Sequence, residues 1–147
     1  SPGISQAVLV GDNKPFVSAL VTLDPDSLPD QLEHIGLPKT MSLRDASVHP
    51  KIRECVQKAV DEVNSFVSKA ESIREFRILP TDFTEKAGHL TPSMKVKRVK
   101  VLEDFSAYVE DIYSRGRKTL SEKTLDAKAA VADRLHSVAD SISPRGE

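Results

Sequence analysis

The sequence predicts an α+β fold, a small domain whose sheet of three to five strands carries packed helices, with a helical extension at the C-terminus. Three observations lead there. Two β-prone runs, Ala7 to Val10 and Phe16 to Leu23, flank Gly11-Asp12-Asn13-Lys14-Pro15, a composition that turns the chain, so they read as a hairpin. From Ile52 to Ala70 apolar residues recur at intervals of three and four, the period of an amphipathic helix. A third β-prone run, Ile73 to Leu79, stops at Pro80.

In the second strand Phe16, Ser18, Leu20 and Thr22 share one face and Val17, Ala19, Val21 and Leu23 the other. The second face is wholly apolar and must be covered, which calls for helices. Asp24-Pro25 has the form of a helix start, a capping side chain and then a proline at the first helical position, with Leu28, Leu32 and Ile35 behind it and Gly36 and Pro38 to stop it. Ser42, three residues before Asp45, suggests a second short helix through a capping box. The long helix after Pro50 places Ile52, Val56, Ala59, Val60, Val63, Phe66, Val67 and Ala70 on one side. Cys55 lies beside that stripe and reads as a small buried hydrophobe.

A last helix is expected over Val99 to Tyr113, with Leu102, Phe105, Val109, Ile112 and Tyr113 at helical spacing and Glu103 and Asp104 early, where the helix dipole favours negative charge. Residues 115–143 change in composition. Leu120, Ala127, Val131, Leu135, Val138 and Ile142 form a narrow helical stripe there, either folded back on the domain or packed on a partner.

Composition narrows the function. A chain of 147 residues can bury roughly two-thirds of its unfolded surface, enough for one core. With 21 basic and 22 acidic residues and a formal net charge of -1, it has no global electrostatic case for nucleic acid. Cys55 is the single cysteine, which excludes an intrachain disulfide and a cysteine zinc cluster. His34, His49, His89 and His136 form no ligand spacing, so no protein-bound transition metal is expected. No apolar run reaches membrane-spanning length and the N-terminal residues lack the basic and then apolar pattern of a signal peptide, so a cytoplasmic protein is expected, with peripheral contact at a membrane left open. The start at Ser1-Pro2-Gly3, without an initiator Met, suits a segment of a longer protein.

Against the near-neutral balance, Lys86 to Lys100 holds five cations (Lys86, Lys95, Lys97, Arg98, Lys100) and no carboxylate. One reading is a solvated basic loop. The other is a shaped one: Gly88 permits positive φ, Pro92 fixes its own φ and biases Thr91 towards an extended conformation, and the lysines follow at once. Lys95 and Lys97 would share a face of an extended segment, so periodicity does not separate them.

Leu90-Thr91-Pro92-Ser93-Met94-Lys95-Val96-Lys97-Arg98 resembles the final motif of the adenylate-forming acyl-CoA synthetases in its long-chain fatty acyl form, Leu-Thr-Pro-Thr-x-Lys-hydrophobic-x-Arg, with Ser93 in place of Thr. Ile4 to Asp12, Lys14-Pro15-Phe16 and Ala19 to Asp24 resemble the opening of the same family's C-terminal domain, and Phe105-x-x-Tyr108-x-x-x-Ile112-Tyr113 its last helix. The resemblance runs over about residues 4–113.

It implies a C-terminal lid domain over residues 1–113, with 114–147 a helical tail, in a long-chain fatty acid-CoA ligase that converts ATP, fatty acid and coenzyme A to acyl-CoA, AMP and pyrophosphate. Lys95 stands at the catalytic lysine of adenylation. There a carboxylate attacks an anionic phosphate, and lysine offers a compact cation on a long stem, charged at neutral pH. The lid of such enzymes alternates between an adenylation and a thioester orientation. The large N-terminal domain of the same polypeptide would bind fatty acid, ATP and most of the Mg2+ that accompanies ATP; with no Gly-rich phosphate loop of its own, the chain is expected to be inactive alone. Gly88, Thr91 and Pro92 would shape the loop. Lys97, Arg98 and Lys100 would touch phosphates or coenzyme A, pair with acids of the larger domain, or sit in solvent, the last being the default. Two alternatives compete: the lid of another adenylate-forming enzyme (an aryl or medium-chain acid-CoA ligase or an acyl-AMP ligase), and a module that grips RNA or anionic lipid through the basic patch.

Overall fold

A computed structural model describes residues 3–114; the tail helix expected beyond Ser114 lies outside the described residues. Residues 3–112 form one compact unit. Among the described residues no helix is long and apolar enough to cross a membrane.

The expected hairpin forms. Strand β1 (Ile4–Val10) pairs antiparallel with β2 (Val17–Leu23), and Asn13 takes a φ of 59° in the turn between them. The register slips between Ile4 and Gln6, where the buried hydroxyl of Thr22 accepts the Gln6 amide at 3.0 Å and so fills the gap in the ladder. Strand β3 (Ile73–Ile78) lies on the other side of β2 and parallel to it, giving the order β1-β2-β3. Parallel neighbours need a long crossover, and residues 24–72 supply it with three helices.

The first of these, α1 (Leu28–His34), starts later than the sequence suggests. Pro25 fits a first helical position, but Pro29 has no N–H to return to the Pro25 carbonyl, so a ladder cannot run through both. Asp24 instead accepts the Asp26 amide at 2.9 Å in a turn, and Ser27 precedes the helix. Gly36 ends it at a φ of 80°. Helix α2 (Leu43–Ser47) has Ser42 as its cap, accepting the Asp45 amide at 3.0 Å, which is the serine half of the expected box.

Helix α3 (Pro50–Asn64) buries Ile52, Val56 and Val60. It is shorter than the periodic stretch because Asn64 turns its side chain to the chain ahead: its amide donates to the Ile73 carbonyl at 2.9 Å and its oxygen accepts the Ile73 amide at 2.8 Å. Phe66 and Val67 therefore leave the stripe, Phe66 at 83% exposure, and Ala70 falls in a 3-10 turn, Lys69–Glu71, opened by a capping box between Ser68 and Glu71.

Both faces of β2 are covered. Ala19, Val21 and Leu23 join Leu28, Leu32, Ile52, Val56, Val60, Phe76 and Ile78 in the core beneath the crossover helices. Ser18, Leu20 and Thr22, on the opposite face, are also fully buried. Arg77 pairs in register with Leu20 and so shares that face. Its guanidinium holds Asp111 at 3.0 Å, which ties that residue to this face of the sheet. The continuous helix expected over Val99 to Tyr113 is in fact two pieces: α4 (Arg98–Asp104), and helical residues 106–114. Phe105 interrupts them with a φ of -112°, outside the helical range. Glu103 and Asp104 consequently close α4 rather than opening a helix.

Candidate functional site

The basic stretch folds into a small hairpin. Leu90 and Val96 form an antiparallel bridge, flanked by backbone bonds from the Thr91 amide to the Lys95 carbonyl and from the Lys97 amide to the His89 carbonyl, each 2.8 Å. The Met94 amide donates to the Thr91 carbonyl at 2.8 Å, closing a turn whose second residue is Pro92, a position suited to proline's fixed φ. Met94 then takes a φ of 68°. A three-residue hairpin loop ending in a left-handed residue has this form; glycine is its usual occupant, so Met94 carries strain of about 1–2 kcal/mol.

Thr91 is the polar centre of the loop. Its hydroxyl oxygen accepts the Lys95 amide at 3.0 Å and lies 3.1 Å from the Ser93 hydroxyl. Gly88, at a φ of 84°, turns the chain into the first arm, and the stem of Lys100 passes it so closely that a β-carbon there would stand 3.6 Å from Lys100 Cε. The arms are seated by Leu90, which is buried, and by His89.

His89 was a residue to which the sequence assigned nothing. The residue is 6% exposed, and its ring forms a three-membered cluster with Phe83 and Phe105, at centroid distances of 5.4 and 5.3 Å from them. Its Nε2 stands 2.9 Å from Asp104 Oδ2, and Lys100 Nζ donates to the other carboxylate oxygen at 3.1 Å. These bonds, His89 first and Lys100 second, hold the Asp104 carboxyl below its usual range. The buried Nδ1 of His89 has no partner among the described residues. No spacing could have paired His89 with an acid fifteen residues on; the hairpin between them brings the two together.

The four cations at the motif meet different fates. Arg98 donates to the carbonyl of Leu9 on β1, and Lys100 pairs with Asp104; both residues remain exposed, so each is tied to the domain at its solvent-facing surface. Lys95 and Lys97 are exposed, on the same arm and the same face, and among the described residues their ammonium groups make no hydrogen bond or ion pair. Among the described residues the arrangement thus offers two exposed cations without a partner at a shaped tip, with Met94 exposed beside them. Among the described residues no group of His, Cys, Asp or Glu side chains is placed to hold a metal ion.

The family model for the AMP-binding enzyme C-terminal domain matches residues 1–117. The long-chain-fatty-acid–CoA ligase FadD15 of Mycobacterium tuberculosis is 47% identical over 114 residues, 78% of this chain and 19% of the relative. The mouse (Mus musculus) long-chain-fatty-acid–CoA ligase ACSBG1 is 31% identical over 136 residues, covering 80% of this chain and 18% of its own length. Among solved structures, the A-PCP didomain of a carboxylic acid reductase from Segniliparus rugosus, in complex with AMP, superposes with a TM-score of 0.53 at 23% identity, over 78% of this chain and 14% of that one, a likeness of fold. The chain spans about a fifth of the length of the curated relatives it matches. It belongs to the AMP-binding enzyme C-terminal domain family.

Proposed function

We propose that this chain is the C-terminal lid of a long-chain fatty acid-CoA ligase and that Lys95 is its adenylation lysine. The observation that carries the reading is the contrast among the motif cations: Arg98 and Lys100 are engaged within the domain, while Lys95 and Lys97 have no partner among the described residues, and of the two Lys95 is the one next to the hairpin turn and at the motif's lysine position. A free ammonium on a fixed backbone can be inserted into an anionic site and withdrawn again without breaking bonds inside its own domain. The ligase names of the relatives point to the same chemistry.

Lys95 acts by charge. As the fatty acid carboxylate attacks the α-phosphate of ATP, negative charge crowds at the reacting centre, and a cation about 4 Å away in surroundings of effective dielectric about 20 contributes roughly 4 kcal/mol. Expressed mainly in the transition state, that is on the order of a thousandfold in rate. No proton need move. Lys97, on the same face, is the second candidate for a phosphate of ATP or coenzyme A, whereas Arg98 and Lys100 would have to give up their present partners to serve. Mg2+ enters with ATP as part of the substrate, held by the larger domain, in a cytoplasmic enzyme whose lid moves between adenylation and thioester orientations.

The test is the complete reaction of the full-length enzyme with Lys95→Met, which keeps much of the stem and removes the charge. A loss of about a hundredfold or more in acyl-CoA formation supports the proposal. Unchanged turnover overturns it.

A further inference from the structure

We propose that His89, through its bond to Asp104, sets the direction of the hairpin that carries Lys95 and is thereby a positioning residue for the reaction. The catalytic part of this rests on the reading of Lys95 above.

His89 is where the hairpin joins the body of the domain, and its bonds run in three directions. The amide donates to the Thr84 carbonyl at 3.0 Å, the carbonyl accepts the Lys97 amide at 2.8 Å, and Nε2 reaches Asp104 at 2.9 Å. The first ties the incoming loop, the second the returning arm and the third the end of α4. Leu90 also seats the hairpin, but apolar burial is not directional and tolerates rotation. Beyond Leu90, among the described residues, the hairpin bonds only to itself as far as Lys95, through the Thr91 and Met94 pairs. A small rotation at His89 is therefore carried outward to the Lys95 stem.

The polarity of the residue argues for direction rather than for stability. A leucine would pack beside Phe83 and Phe105 without burying an Nδ1 that has no partner among the described residues, which is a cost. What leucine lacks is the bond to Asp104. Asp104 in turn is braced by Lys100, whose stem crosses Gly88, so the acid is fixed on both oxygens before it meets the ring.

The experiment uses the full-length enzyme with His89→Leu, His89→Gln and Lys95→Ala. It reads thermal melting, amide hydrogen exchange across residues 89–97, and the two half-reactions, pyrophosphate exchange and thioester formation from supplied acyl-AMP. For His89→Leu the melting point stays within about 5 °C, amide exchange in the hairpin quickens about tenfold, and pyrophosphate exchange falls about 10- to 100-fold with thioester formation largely kept. His89→Gln, whose side-chain amide can donate to Asp104, recovers most of both. Exchange unchanged in His89→Leu overturns the proposal, as does a loss of both half-reactions in step with a collapse in melting point. If Lys95→Ala leaves pyrophosphate exchange intact, the adenylation reading fails, and the hydrogen exchange of the His89 variants still decides whether the ring holds the hairpin.

Discussion

The hydroxyl oxygen of Thr91 accepts the backbone amide of Lys95 at 3.0 Å across the mouth of the hairpin. The residue that begins the turn therefore fixes the backbone of the residue proposed to do the chemistry. Thr91→Val keeps the shape and removes the acceptor, and Thr91→Ser keeps the acceptor. The expected cost for valine is about 1 kcal/mol in denaturant unfolding, the net worth of an ordinary hydrogen bond, together with a roughly tenfold slower pyrophosphate exchange. Serine should stay within about threefold of the parent. Equal rates for valine and serine would mean that the hydroxyl does not hold Lys95.

Met94 tests the turn itself. At a φ of 68° a side chain costs about 1–2 kcal/mol, whereas glycine loses about 0.5–1 kcal/mol through the greater freedom of the unfolded chain. The two nearly offset each other, so Met94→Gly should change stability by less than about 1 kcal/mol. Met94→Val puts a β-branched side chain at positive φ and should destabilise by about 1–2 kcal/mol. Chemical denaturation of both variants checks the contrast; a harmless valine would contradict the left-handed turn.

Two carboxyls make the fold acid-sensitive. Asp104 is held below the usual carboxylate range chiefly by its bond with His89 and then by Lys100, and Glu71 by the Ser68 hydroxyl and then the Ser68 amide. In both cases the unfolded chain takes up the proton first as pH falls, so the stabilisation is complete above the ordinary carboxylate pKa of about 4 and is lost as pH drops through the lower folded value. The gap in melting temperature between the parent and Asp104→Asn should be full near neutral pH and close below about pH 4. A gap that persists unchanged into acid would show that Asp104 does not act as an ionised acceptor.

Much of the fold was legible because it rests on local rules. Alternation at Val17 to Leu23 and turn composition at Gly11 to Pro15 foretold the hairpin of β1 and β2, and Ser42 before Asp45 foretold the cap of α2. The errors arose where a further contact or a second residue outweighed the pattern. Pro29 blocked the helix that Pro25 invited, the bonds of Asn64 to Ile73 ended α3 short of Phe66, Val67 and Ala70, and the chain leaves the helical range at Phe105. At the candidate site the motif singled out Lys95 and the turn around it. The roles of Arg98 against Leu9 and of His89 against Asp104 span 89 and 15 residues of chain, and neither leaves a trace in spacing.

The most direct measurement replaces Lys95 by alanine in the full-length enzyme and follows fatty-acid-dependent ATP–pyrophosphate exchange beside thioester formation from supplied acyl-AMP. A cation used only while the acyl-phosphate bond forms should take several hundredfold from the first reaction and leave the second within about threefold. If pyrophosphate exchange survives at the parent rate, the free ammonium at the hairpin tip is an ordinary surface charge and the proposed role of Lys95 is wrong.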